Sequence, residues 1–372
     1  MKIVMERNHL LKALGRVQKV VEMRNTYPIL SNVLIRTVDD AIEMRATDLD
    51  IEITERVPAS IQDPGVITVP AHKFYEIIRK FSDGAEIRIE DGANDNLTLI
   101  SGRSRFNLPT LSADSFPDLK SGTFVSSFTV ATATFLELIE RTGFAASTEE
   151  TRYYLNGIYL HTLDAGAGQV LRAVATDGHR LARMDVEAPE GSIGMPGIII
   201  PRKTVAELRR LLDGATGDVQ IEVSDTKIRV QIGDAVMLSK LIQGTFPDYE
   251  RVTPKYNEKQ LDVDRLEFAT AVDRVSTIAT DRGGKSVRLA YSEGVLELSV
   301  SNPDHGEARE EMPASFTENT FSIGFNARYL LDIIAQIKTD TAVFMLNDAN
   351  SPSIIQESGD GKVLYVLMPM RV

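Results

Sequence analysis

The chain has 372 residues, 43% of them hydrophobic and 25% charged, with no cysteine and a formal net charge of −12. That length exceeds what one ordinary core fills, so two or three domains are expected, and the missing cysteines exclude disulfides, thiolate zinc sites and cysteine nucleophiles. The acidity argues against gripping a polyanion over the whole surface, and without a long apolar span or a signal-type apolar core near Met1 the expected address is the cytoplasm.

From the N-terminus, MERNHLLKALGRVQKVV (5–21) carries apolar residues at three- and four-residue spacing, which predicts a helix. Period-two alternation follows in VLIRTVDDAIEMRATDLDIEITERV (33–57), broken at Asp residues, and a second helix is predicted in VPAHKFYEIIRKF (69–81). The same order then returns. VATATFLELIERTGFAAS (130–147) predicts a helix, GIYLHTLDAGAGQVLRAVATDGHRLARMDV (157–186) strands, and IPRKTVAELRRLL (200–212) a second helix. A third round runs through VDRLEFATAVDRVSTIAT (263–280), VRLAYSEGVLELSVSNPDHGEAREEM (287–312) and IGFNARYLLDIIAQI (323–337).

Landmarks shift by nearly one constant between the first two rounds. Asp48 to Asp177 is 129 residues, Pro70 to Pro201 is 131, and Phe116 to Phe246, which open FPDL and FPDY, is 130. Pro201 to Asn326 is 125, so the third copy keeps the order while drifting in sequence. Chance alternation of common elements does not produce such offsets, and three α+β domains are expected at 1–122, 123–253 and 254–372. Their net charges are −2, −4 and −6, so acidity grows toward the C-terminus.

Sites for chemistry are scarce. DRGGKS (281–286) has Gly, Lys and Ser but not the glycine spacing of a phosphate-binding loop, so a turn is the better reading. The five histidines, His9, His72, His161, His179 and His305, lack the close spacing of zinc ligands, and no GxSxG elbow exposes a serine. No metal, cofactor or catalytic residue is therefore expected. TDGHR around His179 has the look of an active site, but its counterpart TDLDI (47–51) has no histidine, which makes the acidic turn structural. A hydrolase or transferase built on Asp177 and His179, with Arg180 as anion binder, stays open as an alternative, as does a peptide-binding scaffold that never meets DNA.

Basic residues recur at helical spacing. Lys12, Arg16 and Lys19 stand at i, i+4 and i+7, away from Leu10, Leu14, Val17 and Val21. Lys73 with Lys80, Arg202 with Arg209 and Lys203 with Arg210 repeat the seven-residue spacing. A solvated face or a set of phosphate contacts explains one such stripe, and recurrence favours the latter.

The whole chain resembles the sliding clamp family of bacterial DNA polymerase III. The matching strings are ERNHLLKAL (6–14), YPILSNVLI (27–35), ATDLDIEI (46–53), SGRSRFNLPTL (101–111), RYYLNG (152–157), VATDGHRLA (174–182), IPRK (200–203), SKLIQGTFPDYERV (239–252), GFN (324–326) and YVLMPMR (365–371). The resemblance implies an α+β fold of three tandem DNA-clamp domains, paired head to tail into a homodimeric ring with helices lining the pore and sheets outside. It implies a non-catalytic processivity factor that encircles double-stranded DNA irrespective of sequence and holds the replicative polymerase, the clamp loader and repair proteins through short linear motifs. A ring need not grip, so a few cations suffice and an acidic exterior is no contradiction.

By position, the candidates for DNA or the pore are Lys12, Arg16, Arg24, Lys73, Lys80, Arg152, Tyr153, Tyr154, Arg202, Lys203, Arg209 and Arg210. Glu149 departs from the polar uncharged residue that related clamps carry in a DNA-facing loop. The partner-peptide groove implied by the family falls on Leu155, Thr176, Gly178, His179, Arg180, Leu181, Pro247, Arg251, Val252, Val366, Met368, Pro369, Met370 and Arg371. Methionines suit a site that accepts several peptides, because an unbranched thioether repacks readily. The dimer seam is expected to join Arg103, Arg105, Phe106 and Leu108 to Ile278, Ala279, Asp304, Glu307, Glu310 and Glu311, with Ala279 smaller than the residue usual there.

Overall fold

The structure is a computed structural model that describes residues 1–92, 96–120, 122–166, 168–279 and 286–371. The first third runs β1 (Lys2–Glu6), α1 (Arg7–Val17), β2 (Asn32–Val38), β3 (Ala41–Thr47), β4 (Ile51–Pro58), β5 (Ser60–Asp63), β6 (Val66–Pro70), α2 (Ala71–Ile78), β7 (Glu86–Asp91), β8 (Asn96–Ser101) and β9 (Ser104–Pro109). The second runs β10 (Ser126–Ala131), α3 (Thr132–Gly143), β11 (Gly157–Asp164), β12 (Gln169–Thr176), β13 (Arg180–Glu187), β14 (Ile198–Pro201), α4 (Arg202–Leu212), β15 (Asp218–Val223), β16 (Lys227–Ile232) and β17 (Ala235–Lys240). The third runs β18 (Lys259–Asp264), α5 (Arg265–Ser276), β19 (Ser286–Ser292), β20 (Val295–Asn302), β21 (Gly306–Pro313), β22 (Ser315–Phe316), β23 (Thr320–Asn326), α6 (Ala327–Ile334), β24 (Thr341–Leu346), β25 (Ser353–Glu357) and β26 (Asp360–Leu367).

The element order recurs as the sequence predicts, but the helices are shorter than their apolar periodicity. Met5 and Glu6 belong to β1, and Glu6 caps α1 by accepting from the backbone N–H groups of Asn8 at 3.0 Å and His9 at 3.3 Å. The helix ends at Val17 because the chain then turns to bury Val20 and Val21. Lys19 therefore lies beyond the helix, and the predicted stripe stops at Arg16. In the second helices Pro70 and Pro201 close strands, and their fixed φ starts a helix at the next residue.

The chain gathers into two units. One comprises Met1–Leu136, Pro189–Pro196 and Lys203–Leu241, and holds the sheet β5-β1-β7-β8-β9 and the sheet β10-β15-β16-β17-β4-β3-β2-β6. In it α1 lays Leu10, Leu14 and Val17 on β3 and β4, each side chain removing enough apolar area from water to contribute about 1.5–3 kcal/mol. The other comprises Glu137–Ala188, Gly197–Arg202 and Ile242–Val372, and holds the sheet β14-β11-β12-β13-β26-β25-β24-β18-β22 and the sheet β21-β20-β19-β23. There Phe268 of α5 meets Phe344 edge to face at 5.3 Å. Arg141 and Glu357 form a buried two-pronged pair at 3.1 and 2.6 Å, with the Lys338 backbone N–H also donating to the carboxylate. Removing either partner of such a pair typically costs about 3–5 kcal/mol, since the other charge is left buried alone.

Two units from three repeats follow from shared sheets. β4 of the first third pairs with β17 of the second, Glu55 opposite Ala235 and Ile53 opposite Met237. β13 of the second pairs with β26 of the third, Leu181 opposite Val366. In both joins the third strand of one repeat's opening meander meets the last strand of the next repeat.

Candidate functional site

The DGH turn is a device for reversing the chain. Asp177 accepts from the backbone N–H groups of His179 at 2.9 Å and Arg180 at 3.0 Å, and Thr176 donates to the Arg180 carbonyl at 2.7 Å. In the first repeat Asp48 accepts from the N–H groups of Asp50 and Ile51, and Thr47 donates to the Ile51 carbonyl. Gly178 and Leu49, at φ of 90° and 79°, occupy the same left-handed position. The second Asp177 oxygen binds the Arg180 guanidinium at 3.1 Å. Both of its oxygens are thus spent on structure, and His179 stacks on Tyr329 at 6.2 Å instead of facing a nucleophile. Among the described residues no group of His, Asp and Glu is placed to hold a metal.

Beside this turn lies a buried apolar core. Leu155, Val174, Leu181, Ile199, Phe246, Tyr249 and Val366 form one buried cluster, with Tyr154, Tyr159, Ile242 and Leu364 packed against it. Leu155 and Tyr154 arrive on the short 3-10 turn Glu150–Leu155, Leu181 and Val366 face each other across the β13–β26 ladder, and Phe246 and Tyr249 come from the FPDY segment. Tyr159 stacks on Phe246 at 4.9 Å and on His161 at 4.5 Å. Met368 is 43% exposed and Val252 55%, so thioether and branched carbons line solvent. The tail is pinned on both sides, Met368 N–H donating to the His179 carbonyl at 3.0 Å and Met370 N–H to that of Gly324 at 2.8 Å.

A polar brace stands behind the wall. The Tyr249 hydroxyl lies 2.9 Å from His161 Nε2 and accepts from Arg172 at 3.2 Å, while Arg172 grips Asp185 through two 2.7 Å bonds and Glu250 at 2.5 Å. Burial pushes the His161 pKa down, and the adjacent Arg172 adds to this. Burial likewise raises that of the Tyr249 hydroxyl. Arg180 donates to Asp332 at 2.6 Å and lies over the rings of Tyr329 at 4.4 Å and Phe144 at 5.2 Å.

The structure brings together Leu155, Leu181 and Val366 of the expected groove in one cluster, with Thr176, Gly178, His179 and Arg180 in the adjoining turn. Pro247, Arg251 and Val252 are exposed, and Pro369 and Met370 are half-buried. Val372 lies outside the described residues, as do residues 281–285 of DRGGKS. Sequence reasoning missed Val174, Ile199, Phe246, Tyr249, Ile242 and Tyr159, although FPDY was itself a repeat landmark. Tyr154, expected in the pore, packs against the groove cluster.

Many expected pore cations are already paired. Arg16 binds the buried Glu55 carboxylate at 2.8 Å, Lys73 binds Glu76, Arg152 binds Glu149 through two bonds, Lys203 meets Glu22 and Asp48, and Arg210 meets Glu207. Glu149 thus serves as partner to Arg152, whose guanidinium overlies Gly178 so closely that a Cβ there would stand 2.6 Å from it. Lys12, Arg24, Lys80 and Arg202 are exposed, as is Tyr153. Of the expected seam, among the described residues β9 is bonded only to β8 and β21 only to β20, so each ends its sheet. Phe106 is 38% exposed and Leu108 is buried, while Arg103, Arg105, Asp304, Glu307 and Glu311 reach solvent. Glu310 is engaged by Arg274 at 2.7 Å, and Ile278 and Ala279 are half-buried.

Family models match the chain in three consecutive stretches: the DNA polymerase III β subunit N-terminal domain over 1–120, the central domain over 129–248 and the C-terminal domain over 250–371. The β sliding clamp of Caulobacter vibrioides is 50% identical over 373 residues and that of Escherichia coli K12 is 38% identical over 375, each match covering 100% of both chains. Among solved structures, a sliding clamp of Bartonella birtlesii bound to griselimycin superposes with a TM-score of 0.96 at 50% identity. The Caulobacter crescentus clamp, with PEG bound to a proposed β-motif tethering region, does so at 0.95 and 50% identity, and both comparisons cover 100% of each chain. The chain belongs to the DNA polymerase III β-subunit family, the bacterial sliding clamps.

Proposed function

We propose that the cluster around Leu155, Leu181, Phe246, Val366, Met368 and Met370 is the groove through which partner proteins hold this clamp. As a family member the chain is a non-catalytic processivity factor that encircles duplex DNA as a homodimer and tethers the polymerase and other proteins. What supports the residue assignment is a buried apolar cluster close in sequence to the exposed Val252 and Met368, with its Tyr249 braced by hydrogen bonds from Arg172 and beside His161. An unbranched thioether repacks around different side chains, which one groove serving several peptides requires. Residue boundaries of 1–122, 123–253 and 254–372 for the three repeats, and action in the cytoplasm, belong to the same reading.

The pairing rule of the fold supports the expected seam. β4 meets the last strand of the next repeat, and so does β13. The strand left over is β21, the last strand left over is β9, and each ends a sheet. A second copy offering β9 to β21, and the reverse at the other end, closes the series with Arg103 and Arg105 set against the acidic β21.

Met370→Asp tests the groove. Desolvating a carboxylate against an incoming apolar motif costs several kcal/mol, against about 8 kcal/mol for a whole micromolar complex. Fluorescence anisotropy with a peptide rich in Gln, Leu and Phe is expected to show binding by the parent protein and none by the variant, with the dimer intact. Unchanged affinity would place the groove elsewhere.

A further inference from the structure

On the face of β19, β20 and β23 that points away from α5, a cleft of about 950 Å3 reaches from the edge strand β21 to the tail at Met370 and Arg371. Strand alternation builds it. Val287, Leu289, Leu298 and Val300 turn inward, which leaves Arg288, Ser299, Ser301 and Ser322 on its floor. Arg288 is held in place by its Nε–H donating to the Ser322 hydroxyl at 2.8 Å, an arrangement that leaves both terminal nitrogens of the fork for a ligand. Among the described residues no carboxylate pairs with Arg288 or Arg371, and Arg309 reaches Glu297 and Glu307 only at 3.9 Å. Arg141, Arg172 and Arg180, by contrast, are each locked to a carboxylate at 2.5–2.6 Å.

Arginine forks and hydroxyls around an open cleft fit carboxylates, and the cleft lies in the most acidic third of the chain, where its cations stand out. No aromatic ring lines it, which disfavours bases that would stack. The tail links the two places: the Met368 N–H is tied to the His179 carbonyl in the turn beside the cluster, and Met370, whose N–H is tied to Gly324, lines the cleft. A chain laid along this tail would run toward Arg371 and Arg288, which line the same cleft as Met370.

We propose that this cleft receives an acidic segment flanking the linear motif of a partner protein held in the groove, so that clamp partners are graded by charge outside the motif as well as by the motif. The proposal rests on the groove reading above. Exposed pairs of this kind are each worth little, and two or three together amount to about a three- to tenfold gain in affinity that fades as salt shortens the reach of the charges.

The test uses the intact dimer and fluorescent peptides: the Gln-, Leu- and Phe-rich motif alone, the motif with four glutamates added at its N-terminus or at its C-terminus, and the same two extensions made with four lysines. One of the extended peptides is expected to bind about three- to tenfold more tightly than the bare motif at low salt. That gain is expected to vanish in Arg288→Gln/Arg309→Gln and to reverse in Arg288→Glu/Arg309→Glu, where a four-lysine extension takes over the advantage, while the bare motif binds all three proteins alike. No gain from either extension, or a gain that survives both double variants, overturns the proposal. Failure of the bare motif to bind at all removes the groove reading and this inference with it, whereas a bound motif with an inert extension removes this inference alone.

Discussion

His161 is a half-buried base beside the Tyr249 hydroxyl, where burial favours its neutral form. Its folded pKa lies below the unfolded value of about 6.5, so the unfolded chain takes up its proton first as pH falls. The contribution of His161 is full above about pH 6.5 and is lost as pH drops below that value toward the folded pKa. Denaturant titrations at pH 7.5 and 5.5 are expected to show a stability loss in the parent protein that is smaller in His161→Phe. Equal losses in both would mean that the ring is protonated in the folded state. The sequence showed His161 only as one of five unclustered histidines, because its partners Tyr249 and Arg172 lie 88 and 11 residues away in the chain and adjoin it only once the sheet and the FPDY turn have formed. Asp177 was easier to read: the TD turn depends on residues at most four apart, and its copy at Asp48 exposed it as structural.

At the scale of elements, apolar spacing located the six α-helices of the described residues but overran their ends, because apolar residues remain apolar after the chain leaves the helix. Val21 is buried as expected, but in a turn, with Val20 buried beside it. Edge strands were legible in residues and not in role: SGRSRFNL reads as one more alternating segment, and only the sheet order shows that β9 has a bare edge. The proposed seam makes Phe106 a central contact. Phe106→Asp is expected to raise the dimer dissociation constant by at least about a hundredfold, which corresponds to about 2.7 kcal/mol, measured by sedimentation over a dilution series. A variant that stays as dimeric as the parent at every concentration would put the seam on another edge. The fold itself is expected to survive, since Phe106 is 38% exposed.

For the whole molecule, a net charge of −12 and service on DNA are compatible because enclosure replaces grip. The structure sharpens which cations matter. Arg16 cannot be reversed cleanly, because a glutamate there would face the buried Glu55 and unsettle α1. Lys12, Lys19 and Arg24 are exposed and, among the described residues, make no ion pair, although Lys12 and Lys19 lie within electrostatic reach of the Glu55 and Glu207 carboxylates. Lys12→Glu/Lys19→Glu/Arg24→Glu is expected to leave the melting temperature unchanged, to lower loading onto primed DNA severalfold at low salt, and to flatten the dependence of loading on salt. Loading and salt slope equal to those of the parent would reduce these residues to a solubility face.

Topological residence is the central claim, and it is read most directly by following labelled clamp on DNA before and after the circle is cut. Clamp loaded onto nicked circular DNA by a clamp loader is expected to stay bound through gel filtration at moderate salt and to run off within minutes once a restriction enzyme linearises the circle. Retention on the linear form equal to that on the circle would mean that the protein grips DNA instead of enclosing it, and would contradict the account.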